Sequence, residues 1–160
     1  MKILGFSDLH NSARHADILV RASRTADLVI AAGDFCNTRG GLDAAMQLLG
    51  GITAPLVAVP GNHESASELA AAAPDGTTVL HGEGATFDGL RVFGLGYGVP
   101  VTPFGDWSCD LTEDEAEARN AARAIGGTAP HLPDVAVLGP APAPMSLLRG
   151  RYRYRLLINA

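Results

Sequence analysis

Three apolar runs, at residues 2–7, 27–32 and 55–59, each close on a polar string: Asp8-Leu9-His10, Gly33-Asp34 and Gly61-Asn62-His63-Glu64. The segments between them carry helix signals. Ser12 caps a helix running to about residue 25 with Leu19, Ala22 and Ala26 on one face, and residues 42–49 form a short helix closed by Gly50 and Gly51. Ser65 and Glu68 make a capping box for a third helix, which runs through residue 73 and stops at Pro74. Strand, helix, strand, helix, strand restricts the chain to a parallel sheet with right-handed crossovers, because other connections do not pack such helices back onto the sheet.

The strings are 26 and 28 residues apart, counted Asp8 to Asp34 and Asp34 to Asn62, which is one strand plus one crossover helix each time. Their polar groups therefore converge at the carboxyl ends of adjacent strands, about 4.8 Å apart, where open α/β sheets place their ligand sites. Carboxylate, imidazole and amide groups are ligands of divalent metals. Two metals about 3.5–4 Å apart need a bridging carboxylate. Asp34, in the middle, suits that task, with Asp8 and His10 on one metal, Asn62 on the other and His63 facing a substrate. Taken singly, an Asp after a strand can equally cap the next helix, and Gly33 and Gly61 suit tight turns.

Beyond Asp75 the pattern changes to short strands at 77–80, 85–87 and 90–95 with Gly and Asp turns, which predicts an antiparallel meander and a second sheet. The run Gly94 to Gly98 reads as a tight turn near the site, since no helix follows it to supply a phosphate-binding N-terminus. Residues 97–110 read as a loop in which Phe104 and Trp107 pack or meet substrate, and Thr112 with Glu115 opens a helix to about residue 125. Residues 134–138 are the next strand. The stretch 139–144, GPAPAP, cannot continue a central strand. His15 reads as a helix-surface residue and His81 as a turn or strand-end residue; neither enters the site.

The composition, with 47% hydrophobic residues in 160, fits one soluble domain. Cys36 and Cys109 form no CxxC pattern, so neither a disulfide framework nor a cysteine zinc site is indicated. No apolar run approaches the roughly 20 residues that span a bilayer, and the opening residues do not resemble a signal peptide, so a cytoplasmic location is expected. The formal charge of −5 argues against nucleic acid as a partner. Charge is unevenly placed: residues 1–138 hold 17 acidic and 8 basic side chains, whereas 139–160 hold 4 arginines and no acid. We read 1–138 as one domain and 139–160 as an atypical Pro/Arg-rich tail, whose alternation can form a strand ending at 156–158.

The three strings resemble the calcineurin-like metallophosphoesterase family, whose pattern is DxH, GD, GNH(D/E), a separate His and a terminal GHxH. The resemblance covers roughly residues 1–138 and implies an α/β fold, an αββα two-sheet sandwich of the metallophosphoesterase type with its C-terminal strands incomplete. It implies that Asp8, His10 and Asp34 hold a first metal, that Asp34 and Asn62 hold a second, and that His63 protonates the leaving oxygen. The implied activity is hydrolysis of phosphomono- or phosphodiesters by a metal-activated hydroxide, with Mn²⁺ the leading cofactor and Mg²⁺, Fe or Zn²⁺ as alternatives. A small phosphoester or nucleotide is the implied substrate, and neither a membrane nor a nucleic acid the partner; the sequence leaves the oligomeric state open. Gly139 and Pro140 stand where the family has Thr-His, and no GHxH follows, so the second metal site is expected to be incomplete and the chain reads as truncated or frame-shifted there. His131 would lie at the opposite end of its strand. The alternatives are an impaired remnant that binds metal or phosphate weakly, and an unrelated α/β binding module.

Overall fold

The computed structural model describes residues 1–125, 135–148 and 151–159, with side-chain surroundings over 1–119. In chain order the elements are β1 (Ile3–Phe6), α1 (Ala13–Ser23), β2 (Leu28–Ala32), α2 (Leu42–Leu49), β3 (Leu56–Val59), α3 (Ala66–Ala72) and β4 (Thr78–Val79), then β5 (Glu83–Phe87), β6 (Leu90–Leu95), α4 (Glu113–Ile125), β7 (Val135–Leu148) and β8 (Arg151–Asn159). Strands β1-β2-β3-β4 form a parallel sheet, in that order. Strands β5-β6-β7-β8 form a second sheet, antiparallel except where β7 runs parallel to β6 after the α4 crossover.

Alternation along the central strands sorts the core into layers. Val29, Ala31 and Ala58 face outward onto Ala45, Met46, Leu49 and Leu69 of the helices. Leu28, Ile30, Ala32, Val57 and Val59 face the other way and meet Leu80 and Val92 between the sheets. All five β2 residues are buried, as expected for a parallel strand covered on both faces. On the far side of the second sheet Phe93 and Leu95 pack on Leu111 and Ala116, at the start of α4. The layer order is helices, sheet, sheet, helix: the αββα sandwich.

The local signals set the element ends. Ser12 Oγ accepts from the His15 N–H at the start of α1, and the Ser65/Glu68 box is closed in both directions at α3. The Thr112/Glu115 box opens α4 in the same way, through 2.8 and 3.2 Å bonds. The β5–β6 hairpin turns at Asp88 and Gly89, both at positive φ, which a two-residue turn between twisted strands requires.

Two expectations need correction. Residues 77–80 do not join the meander: β4 pairs in parallel with β3, with Val57 opposite Thr78 and Ala58 opposite Val79. A strand of two residues has no periodicity to read, and its place follows from the α3 crossover instead. The strand expected at residues 134–138 does not stop there, since β7 runs on through GPAPAP to Leu148. It ceases to be central in that stretch: the β6 ladder stops at Leu138, and beyond it β7 pairs with β8 alone, through register shifts. Proline, lacking an N–H, is tolerated where only one neighbour must be bonded. The tail does form a strand, β8. Asp134 and His131 lie outside the described residues.

Candidate active site

The site sits on the loops that leave β1, β2 and β3 at their carboxyl ends, and backbone bonds hold the first two loops together. Asp8 N–H donates to Gly33 O (3.1 Å), His10 N–H to Asp34 O (3.0 Å) and Asn11 N–H to Phe35 O (2.9 Å). Six of the eight non-glycine residues at positive φ among the described residues are Asp8, His10, Asn11, Asp34, Thr38 and Arg39. Strained backbone gathered in this way marks loops whose geometry serves a site. Gly33, at φ +80°, faces Gly61, and a Cβ on either would run into the other loop; on Gly61 it would strike Asp34 Oδ1.

The structure brings the predicted residues together. Ligand atoms of His10, Asp34 and His63 lie within 4.8 Å of one another. Asp8 adjoins them, its Oδ1 3.7 Å from His10 Nε2. The amides of Asn62 (3.0 Å) and His63 (3.4 Å) both donate to Asp34 Oδ1 and so orient that carboxylate. Asn62 donates through Nδ2 to Ser108 Oγ at 2.9 Å, which fixes which end of its amide is the acceptor.

The two site imidazoles are fixed in opposite senses. His10 Nδ1 lies 3.2 Å from Cys36 O and 3.0 Å from Asn37 Oδ1, both acceptors, so Nδ1 carries a proton and the neutral ring keeps its lone pair on Nε2. That is the form in which histidine binds a metal, its other nitrogen donating to a carbonyl or carboxamide oxygen. His63 Nδ1 instead accepts the Thr38 N–H at 2.8 Å, so the neutral ring carries its proton on Nε2 and has no lone pair there. His63 is therefore close enough to be a ligand and has the wrong tautomer for one. Its ring packs edge-on to His10 (centroids 5.0 Å) and against Trp107 (4.8 Å), which itself stacks on Phe104.

The electrostatics follow from three carboxylates gathered in a small, partly buried space. Asp34 is pushed up to about 7, by burial first and then by Glu64 and Asp8. His10 is raised to about 9, chiefly by the Asp8 carboxylate beside its Nε2, against the effect of burial. The same pairing lowers Asp8, with burial opposing it. His63 falls to about 4 because burial and the neighbouring His10 cation both disfavour its charged form. The site holds a proton on His10 to balance its acids. A divalent cation satisfies that demand better, and a donor set of carboxylate oxygens and one imidazole lone pair suits it.

Some contributors carry no separable signal in the sequence. Glu64, 0% exposed, accepts from the amides of Gly61 (2.7 Å) and Asp34 (2.8 Å) on one oxygen and of Phe35 (3.1 Å) on the other, joining the β2 and β3 loops. Ser108 and Thr102 both donate to Asp110 (2.9 and 2.7 Å), so the 97–110 loop is tied to Asn62 by a hydroxyl and carboxylate network. Thr38 and Arg39 complete the surround of His63. Of the histidines left out of the site, His15 lines a cavity with Phe6, Ser7, Asp8 and Ile18, and His81 packs at a tilt against Tyr97, centroids 4.2 Å apart. Tyr97, at φ +77° in the expected turn, accepts the Ala66 N–H with its hydroxyl oxygen (3.2 Å).

Comparison with known proteins agrees with the fold. One solved crystal structure superposes with a TM-score of 0.70 at 14% identity, covering 96% of this chain and 75% of that one. The crystal structure of TT1561 from Thermus thermophilus does so with a TM-score of 0.69 at 17% identity, covering 93% of this chain and 72% of that one. At such identities the likeness shows the fold alone. No curated protein matches the chain. Residues 101–160 are similar to the primosomal protein N C-terminal domain, over less than half of the chain. Residues 1–127, which contain all three polar strings, match the calcineurin-like phosphoesterase superfamily domain, and the chain belongs to that superfamily.

Proposed function

We infer that the chain is a metal-dependent phosphoesterase in which Asp8, His10 and Asp34 hold a first divalent cation, Asp34 and Asn62 contribute to a second, and His63 serves the leaving group. The observation that carries this reading is the opposite fixing of the two imidazoles: Nδ1 of His10 faces two acceptors, so that its neutral ring bares Nε2, whereas Nδ1 of His63 accepts an N–H, so that its neutral ring keeps the proton on Nε2. Bound cations would supply positive charge for the phosphoryl oxygens and activation of the attacking water. His63 then offers its Nε2–H to the leaving oxygen and stabilises charge as it develops there. Asp34, its Oδ1 held by two amides, keeps one orientation towards both cation positions. Mn²⁺ is the first metal to try, because it accepts mixed oxygen and imidazole ligands. Small phosphodiesters or nucleotides are the substrates to test first.

Gly139 and Pro140 offer no imidazole, which favours, as a second reading, a protein that binds one metal without turnover. The test is hydrolysis of a bis-aryl phosphodiester against Mn²⁺ concentration in the wild type and in Asp34→Asn. Saturable, Mn²⁺-dependent turnover that Asp34→Asn abolishes supports the enzyme. Mn²⁺ binding with no turnover of mono- or diesters supports the second reading.

A further inference from the structure

Arg39 stands at φ +67°, after Thr38 at φ +43°, two consecutive residues in a conformation that L side chains rarely adopt. Something must hold them there. The Arg39 guanidinium donates through one nitrogen to Glu68 Oε1 (2.7 Å), at the start of α3, and through another to Cys109 Sγ (2.6 Å), in the 97–110 loop. Its backbone N–H donates to His63 O at 3.1 Å, and the preceding N–H, that of Thr38, is the one that occupies His63 Nδ1. Cys109 N–H in turn donates to Asn62 O (2.9 Å). One planar fork thus joins its own loop, helix α3 and the 97–110 loop around a single imidazole, and the geometry is directional because guanidinium donors are rigidly spaced.

We propose that Arg39 is a positioning residue for His63: clasped between Glu68 and Cys109, it holds the Thr38 amide on His63 Nδ1 and so keeps the Nε2–H turned into the site. This rests on the reading of His63 as a hydrogen-bond donor to the leaving group. The Arg39 and Glu68 side chains are 33% and 42% exposed. Ion pairs that open to water add little to folding stability, so removing this one leaves the fold standing and loosens only what it holds. Arg39 is occupied by protein groups and acts through the Thr38 peptide.

The test combines kinetics with ¹H–¹⁵N correlation spectra of the histidine side chains, recorded without metal and with Mg²⁺, for wild type, Arg39→Ala and Arg39→Lys. The wild type is expected to show His63 protonated on Nε2 only. Arg39→Ala is expected to show a mixture of the two His63 tautomers and a kcat about 10- to 100-fold lower, the usual penalty of a misplaced catalytic group, with KM and Mn²⁺ affinity within about twofold. Arg39→Lys, which reaches Glu68 but lacks the fork for Cys109, is expected to recover part of both losses. A His63 spectrum and kcat unchanged in Arg39→Ala would overturn the proposal. So would a raised KM at constant kcat, which would place Arg39 on the substrate. A wild-type spectrum with the proton on His63 Nδ1 would instead overturn the role of His63 itself. The spectra decide between these outcomes even in a protein that hydrolyses no ester tried.

Discussion

Glu64 shows how one side chain can govern a site without touching what the site binds. Its carboxylate is spent on the amides of Gly61, Asp34 and Phe35, so it adds negative charge beside Asp34 and fixes the spacing of two ligand loops. Glu64→Gln turns an NH₂ towards buried N–H groups and leaves a donor unsatisfied, which costs about 1–3 kcal/mol. Urea unfolding is expected to show that loss. Metal titration is expected to show Mn²⁺ affinity falling by about 10- to 100-fold, as for other groups that orient ligands. An unchanged affinity at reduced stability would mean that the clamp serves the fold alone. In the sequence, Glu64 is readable only as the last letter of a motif. Asp8, His10, Asp34, Asn62 and His63 are readable because strand ends gather such residues, whereas the partners of each imidazole, Thr38, Cys36 and Asn37, act mainly through backbone atoms or loop placement that no residue type announces.

At the scale of elements, the strands and helices whose ends carry chemistry are the legible ones. Capping boxes at Ser65 and Thr112, and the Asp88-Gly89 turn, have sequence signatures because side chains or positive φ are required there. The sheet that β4 joins and the far half of β7 escape such a reading, since tertiary pairing, and not local pattern, decides them. The same distinction separates the glycines. Gly61→Ala would push a methyl group into Asp34, and is expected to cost about 1–3 kcal/mol by overpacking and to abolish metal binding. Gly89→Ala meets nothing within 4 Å at φ +84°. It is expected to cost about 1–2 kcal/mol, the strain of a left-handed alanine, with metal binding unchanged. Thermal unfolding with and without Mn²⁺ checks both, and equal metal responses in the two variants would contradict the account.

Across the whole molecule, the acids of the site tie stability to pH and metal. His10 titrates at 6.5 in the unfolded chain and near 9 in the folded one, so its contribution is complete below about pH 6.5 and is lost as pH rises to 9. Asp34, raised from 3.8 to about 7, loses stability in the same direction over its own range. The metal-free protein is therefore expected to unfold at lower temperature at pH 9 than at pH 7. Mn²⁺, proposed to take the place of the His10 proton, is expected to raise the midpoint more at pH 9 than at pH 7; a metal response that shrinks with rising pH would contradict the assignment of His10. The proposed division of labour between two imidazoles 5.0 Å apart is open to Mn²⁺ titration of His10→Gln and His63→Gln beside phosphodiester turnover. His63→Gln is expected to bind Mn²⁺ as the wild type does while turnover falls by about 10²- to 10³-fold, and His10→Gln to lose both. Loss of Mn²⁺ binding in His63→Gln to the extent seen in His10→Gln would make His63 a ligand and contradict that division.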